Sequence, residues 1–413
     1  MNLPDRQQLL QIYGEAGKSR ERFAHLAEQF AAIYPHRQAE YFSAPGRTEL
    51  IGNHTDHQGG KVLAASIHLD TIGAACPNGT RFVRITSEGY ETQIVADLSD
   101  LQKDRKNPGT QGLVAGMLEG VQKAGFQVQG FDAYVSTNVI PAAGVSSSAS
   151  FEMLICAMIN YFFNHQKMTV TDYARIGQYA ENTYWQKASG MMDQMACAAG
   201  GVVLLDFSDR MCPRYEKTDA PFEALGYQLV IVNTGKGHAN LSDAYSAIPA
   251  EMKEAAAAMG AERLQEADPK QLLKKCRNIK NDRAVLRALH FFQENTRVEQ
   301  AAEALRSKDL NAFAELLRQS GQSSWELLQN CYDVRNVREQ KVTLALALTE
   351  LFLKKTGAGA CRVHGGGFAG VILCMLPQTE TECYAQFISE YVGENQVYPL
   401  KIQKLGAIHI PEC

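Results

Sequence analysis

The sequence predicts an α+β protein of two closely packed domains, and three observations lead there. Its 413 residues exceed the span that one compact core usually serves. In the first half, strand-like runs such as VRITSEGY, FDAYVSTNVI and GVVLLDFS alternate with helical stretches at 111–124, 148–164 and 171–186, a mixed α/β pattern. After YQLVIVNTG the chain turns strongly helical from about residue 251 to 355 and then returns to strands around GVILCML, an α+β pattern. No internal repeat or long Pro/Ser-rich linker interrupts it. The division therefore falls in a short connection near residue 210, giving domains 1–209 and 210–413.

Composition narrows the partners. Hydrophobic residues make up 45% of the chain, enough for substantial cores, and Lys+Arg at 41 against Asp+Glu at 45 leave a formal charge of -4. That balance excludes a nucleic-acid footprint and a polybasic membrane surface, so a small solute is the expected partner. The ten cysteines are scattered singly, without a C-x-x-C pair or zinc-ligand spacing, and read as reduced packing residues. The opening MNLPDRQQLL lacks the charged and apolar regions of a secretory signal, and no apolar run approaches the roughly 20 residues that cross a bilayer. A cytoplasmic protein, monomeric or weakly oligomeric, is expected.

Four segments carry chemistry. The first, SAPGRTELIGNHTDHQGGKVLAASI (43–67), crowds Arg47, His54, Asp56, His57 and Gln58 into a stretch punctuated by Gly46, Gly52, Gly59 and Gly60. A polar surface turn would look similar. Apolar segments on both sides weigh against it, because polar groups between buried segments need partners, and a polyol ligand supplies them. The second, NVIPAAGVSSSASFEMLICAMINYFF (138–163), ends a strand at Ile140 and starts a helix within Ser146, Ser147 and Ser148, all cap candidates. Small side chains let N–H groups and hydroxyls close on an anion, and the helix dipole favours phosphate. The following helix is apolar on nearly every face, so its N-terminus points out of a core as a phosphate cradle.

The third segment, AENTYWQKASGMMDQMACAAGGVVLLDF (180–207), sets Glu181 near a helix end and Asp193 twelve residues later among Met191, Met192 and Met195. Asp193 reads either as a cap or, paired with Glu181, as a group aimed at a substrate hydroxyl beside a metal ligand. The last, CRVHGGGFAGVILCML (361–376), puts three glycines before a strand, which marks close backbone approach or a strained turn.

In this order and at these separations, the segments resemble the galactokinase branch of the GHMP kinase superfamily. GRTELIGNHTDHQGG follows that family's GRxNLIGEHTDYNGG, AAGVSSSAS its GAGLSSSAS, GMMDQ its GIMDQ and VHGGGFAG its MTGGGFGG. The stretch RALHFFQENTRVEQAAEALRSKDLNAFAELLRQS looks like the family's helical hairpin, so the match covers nearly the whole chain. The resemblance implies a two-domain GHMP kinase fold, with a mixed α/β N-terminal domain, a ferredoxin-like C-terminal domain with added helices, and a site in the cleft between them. It implies phosphoryl transfer from ATP to the anomeric hydroxyl of a free hexose, galactose first, with Mg²⁺. By resemblance, Asp193 and Arg47 are the catalytic pair, and Glu181 and Ser148 the magnesium ligands. Ala142, Ala143, Gly144, Val145, Ser146, Ser147 and Ser148, with Ser87, are the implied ATP contacts. Asn53, His54, Thr55, Asp56, Gly190 and Tyr245 are the implied sugar contacts, Tyr245 being matched through HANLSDAY (238–245). Such a kit suits phosphoryl transfer, which needs positioning and charge neutralisation more than covalent chemistry.

The chain departs from the pattern around the substrate. Asn53 stands where the family has a Glu that contacts the sugar near its C6 hydroxyl, and His57-Gln58 where it has Tyr-Asn. A neutral amide donates as well as accepts and does not repel an acid, which makes galacturonate a second candidate substrate. Ala142 replaces the loop's first glycine, and Val363, His364 and Ala369 replace Met, Thr and Gly. A third reading, a catalytically silent sugar sensor, is opposed by the intact Arg47, SSSAS, Glu181 and Asp193.

Overall fold

The apolar runs on either side of the first segment's turn become the two longest strands. The computed structural model describes residues 3–411, except 108, 142, 188, 221, 236–240 and 369. Strands β1 (Glu40–Ile51) and β2 (Lys61–Pro77) pair antiparallel around that turn. With β3 (Phe82–Ser87), β4 (Ile94–Asp97), β5 (Phe131–Thr137), β6 (Val202–Asp206) and β7 (Arg214–Thr218) they build most of an eight-stranded sheet. Alternation along the strands decides what each face buries. Phe42, Ala75 and Ala133 pack into one core with α3 (Thr110–Lys123), α4 (Ser147–Asn164) and α5 (Val170–Thr183). Their neighbours Tyr41, Ala74 and Tyr134 pack on the opposite face against α1 (Arg6–Tyr13) and α2 (Gly17–Ile33).

The second sheet joins β8 (Tyr227–Asn233), β9 (Ala360–Val363), β10 (Val371–Pro377) and β11 (Val397–Leu400), all antiparallel, in the order β11-β8-β10-β9. Fourth, first, third, second is the ferredoxin-like order expected from the resemblance. Here too both faces are covered. Val230 and Val232 face α11 (Lys341–Thr356) and α12 (Thr381–Val392), whereas Leu229 and Ile231 share a core with Leu63 and Ile67 of the first sheet. The added helices between β8 and β9 include α7 (Ser242–Ala258), α9 (Asp282–Arg306) and α10 (Leu310–Ser323), and Val298 and Phe313 from the last two enter that shared core. The sheets do not part at residue 210. Both β7 and the late strand β12 (Ile408–Ile410) belong to the first sheet, β12 pairing with the outer edge of β1 at Tyr41↔Ile410.

Candidate active site

Where the two sheets meet, one arginine ties three segments together. The register of β1 slips between Pro45 and Arg47, an irregularity of the kind that re-aims a side chain. Arg47, buried, donates through Nε to Asp193 Oδ1 at 2.7 Å, with Nη2 also 2.7 Å from that oxygen. Its Nη1 donates to the Gly144 carbonyl, and its backbone N–H to the Val145 carbonyl at 3.1 Å.

Ser146 completes the bridge: it sits in the left-handed region at φ 57°, ψ 61°, and its hydroxyl donates to Asp193 Oδ2 at 2.5 Å. Left-handed backbone in a non-glycine residue costs roughly 1–3 kcal/mol and persists where surrounding structure imposes it. Ser146 is therefore the N-cap position of α4 but not a side-chain cap, because its hydroxyl is turned onto Asp193. Nor is Asp193 a cap, for it lies inside the first turn of α6 (Met192–Ala199), where the dipole favours a negative charge. Burial raises the proton affinity of Asp193, but Arg47, then Lys187 and Ser146, outweigh it and hold the carboxyl below its usual range.

A cavity of about 200 Å³ opens beside this bridge, lined by His54, Asp56, Gly190, Asp193, Glu181 and Tyr245 among others. Gly365 and Gly366 of the glycine triplet line it too. Tyr245 lies so close that a Cβ on Gly366 would stand 1.9 Å from the ring, and the Tyr245 hydroxyl donates to the Gly367 carbonyl at 3.1 Å. His54 Nε2 donates to the Gly366 carbonyl at 3.0 Å. Burial, with the nearby His57, pushes His54 down to about 3, so the imidazole is neutral and Nδ1 is an acceptor.

Gly190 faces Asp56, with a Cβ there only 2.0 Å from Oδ2. Gly190→Ala should therefore displace Asp56 and, with Asp56 as the sugar contact that the resemblance implies, lower kcat/KM for the sugar roughly 10–100-fold, the scale of a 1 Å misplacement, with the KM for ATP unchanged. Steady-state kinetics with each substrate varied in turn test this, and equal losses in both would remove Asp56 from the sugar side.

Two residues expected as sugar contacts are turned elsewhere. Thr55 is wholly buried, its hydroxyl held between the Gly52 and Lys61 carbonyls at 2.9 and 2.6 Å, because it staples the turn between β1 and β2. Asn53 borders the cavity, but its Nδ2 donates to Glu49 Oε1 at 3.0 Å and the Gly365 carbonyl at 2.5 Å, and its Oδ1 accepts from Asn330 at 2.7 Å. Gln58 likewise packs inward, accepting from the Leu264 N–H at 3.2 Å. Conversely Glu49, Lys187 and Gln194 line the cavity without a sequence signal that points there, whereas His57, part of the polar cluster of the first segment, does reach it. A Glu in a strand and a Lys in a loop carry no spacing signal that would reveal them.

A second, larger cavity of about 820 Å³ lies on the other side of the serine loop. Ser87, Ser147, Ser148 and Trp185 line it, so the expected nucleotide residues on β3 and α4 share one space. Ala142 falls outside the described residues, as do Ala369 and residues 238–240 of HANLSDAY. Glu181, on α5, is buried and holds Lys187 Nζ at 2.8 Å through Oε1. No group of three or more His, Cys, Asp or Glu among the described residues could hold a metal alone.

Behind the site, Glu152 is fully buried on α4, its Oε2 accepting from Gln194 at 3.0 Å and its Oε1 without a hydrogen-bond partner. Burial, reinforced by the charge of Glu181, pushes it up to about 8. The folded protein keeps this proton up to about pH 8, whereas an exposed glutamate releases it near 4.5, so stability drains away as pH rises between those values. Glu152→Gln, which cannot ionise, should raise Tm at pH 8 by roughly 2–4 °C and change it little at pH 5. The same shift at both pH values in thermal melts would show that Glu152 does not titrate in this range.

Comparisons with known proteins bear on the fold and the family. The profile of the GHMP kinases N terminal domain matches residues 112–201, and that of the galactokinase galactose-binding signature matches residues 28–77. A crystal structure of mevalonate kinase superposes at TM-score 0.60 and 14% identity, covering 88% of this chain and 99% of the other, a likeness of fold. The two sheets, the serine loop at a helix start and the cleft beside it are thus those of a GHMP kinase. Galactokinase from Lactococcus lactis subsp. lactis (strain IL1403) is 30% identical over 382 residues, 91% of this chain and 92% of the relative. Galactokinase from Clostridium tetani is 29% identical over 376 residues, 88% and 91% of the two chains. The crystal structure of Lactococcus lactis galactokinase complexed with galactose superposes at TM-score 0.80, 26% identity, covering 93% of this chain and 98% of that one. The chain belongs to the galactokinase family.

Proposed function

We propose that the chain transfers the γ-phosphoryl group of ATP to the anomeric hydroxyl of galactose, giving ADP and galactose 1-phosphate. The observation that carries this is the bridge from Arg47 through Asp193 to Ser146, which joins the serine loop to a small polar cavity. In this reading the hexose lies against His54, Asp56, Gly190 and Tyr245. The triphosphate rests on residues 142–148, with the nucleoside in the larger cavity near Ser87.

Asp193 orients the anomeric oxygen and takes its proton as that oxygen bonds to the γ-phosphorus and the bond to the β,γ-bridging oxygen breaks. The lowered proton affinity of Asp193 makes orientation its larger contribution. Arg47 offsets the negative charge on the phosphoryl oxygens. Glu181 and Ser148, a carboxylate and a hydroxyl, are hard oxygen donors of the kind Mg²⁺ takes; Glu181 lines the smaller cavity, paired with Lys187, and Ser148 the larger, so nucleotide phosphates would have to complete the shell between them. Bound there, the ion would neutralise phosphate charge. We place the protein in the cytoplasm as a monomer or weak oligomer, a setting that suits its nine described free cysteines.

The test is ADP release over a panel of free hexoses and uronic acids, with the phosphate of the product located by NMR. Galactose as the best acceptor, phosphate on C1 and loss of turnover in excess chelator are expected. Turnover with another acceptor and none with galactose would reject the proposal.

A further inference from the structure

We propose that Glu49, and not Asn53, selects the sugar: its carboxylate accepts a hydrogen bond from a hydroxyl of a neutral hexose and turns acidic sugars away. This rests on the reading of the cavity as the sugar site of a galactose kinase. Asn53 has nothing left to offer. An amide carries two N–H donors and one carbonyl, and Asn53 commits both donors to Glu49 and Gly365 and the carbonyl to Asn330. Its side chain is a brace, and the residue it braces is Glu49.

Glu49 lines the cavity while being only 3% exposed. Its Oε1 takes the Asn53 hydrogen bond and lies 2.8 Å from Nη2 of Arg362, itself wholly buried. Its backbone N–H donates to His364 Nε2 at 3.0 Å, which fixes the residue's place on β1. The described protein contacts thus fall on Oε1. A carboxylate has acceptor sites on both oxygens, so Oε2 is available to a donor in the cavity. A sugar hydroxyl is such a donor, and a hydrogen bond to a charged acceptor held in place beforehand discriminates strongly against an analogue that lacks it.

Sequence gives the same answer by a separate route. Where the family signature GRxNLIGEHTDYNGG has Asn and then Glu, this chain has Glu49 and then Asn53. The structure puts those two side chains in contact, so the exchange keeps one carboxylate and one amide touching and merely trades their places. Charge agrees as well: Glu49, Asp56, Glu181 and Asp193 face this cavity against Arg47 and Lys187. A sugar carboxylate brought near Glu49, itself almost wholly buried, would meet a like charge.

The experiment compares kcat/KM for galactose, its 2-, 4- and 6-deoxy analogues and galacturonate in the wild type, Glu49→Gln and Glu49→Asp. The wild type should disfavour one deoxy analogue by at least about tenfold. In Glu49→Gln that ratio should fall at least about fivefold and galacturonate should improve, with the KM for ATP unchanged. Glu49→Asp keeps a charge for Arg362 and withdraws the oxygens by one methylene, so it covers the case in which the glutamine variant does not fold; the same ratio should shrink there too. Wild-type ratios for every deoxy analogue in a folded variant that still phosphorylates galactose would overturn this inference alone. A wild type that phosphorylates no neutral hexose would overturn it together with the kinase reading beneath it.

Discussion

Asp193→Asn should lower kcat with galactose by about 100-fold or more while the KM for ATP stays within about threefold, the scale of a positioned acid/base group. Asparagine fills the same space and can still accept from Ser146, so the loop and cavity should keep their shape. What it cannot do is take a proton or draw the anomeric hydroxyl with a full charge. Calorimetric galactose binding should survive, separating this loss from one of affinity. Because Arg47 and Lys187 hold the wild-type carboxyl below its usual range, no titration of Asp193 should appear in kcat/KM between about pH 5 and 8. Turnover within about fivefold of wild type would remove Asp193 from the mechanism.

Arg47→Met should be the more damaging change, because it breaks both chemistry and structure. An arginine beside a transferring phosphoryl group contributes about 10³-fold or more to kcat. Its removal also strips Asp193 of the cation that offsets its burial. Breaking a buried pair from one side costs about 3–5 kcal/mol, and the 29% exposure of the Asp193 side chain reduces that to about 2 kcal/mol. The double variant Arg47→Met/Asp193→Asn should recover much of that stability, giving a coupling of about 1 kcal/mol or more in urea titrations. Additive losses would mean that the two side chains do not support each other.

The elements that repeat a simple period were the legible ones. The unbroken apolar run in YQLVIVN buries both faces of β8, and the largely apolar helix after SSS runs from Ser147 with its N-terminus on the cleft. That Arg47, Asp193 and the serines belong to one place was legible through motifs, since nothing in local periodicity shows that residues 146 positions apart will bond. Side-chain direction inside the tight turn was not. Asn53 borders the ligand space with its amide already committed, in part to Asn330, which lies 277 residues along the chain. Thr55 faces away because the turn itself needs its hydroxyl. Lys187 and Glu49 became visible only when distant segments closed around them. The joining of β12 to the first sheet was equally hidden, for a three-residue strand has no period of its own.

That last pairing has a kinetic side. The edge of β1, the strand that carries Arg47, is closed by β12, and the His409–Glu40 contact at this seam spans 369 residues. Loops of that length close late and slowly, and they reward the chain only after the entropy has been lost. At ~5–20 residues per second of synthesis, the ribosome needs on the order of 20–70 s between making the two partners. Throughout that interval an apolar strand presents an unpaired edge, a template for pairing with other chains. The danger of aggregation is therefore greatest during translation, and its duration is set by the speed of the ribosome rather than by the stability of the finished fold.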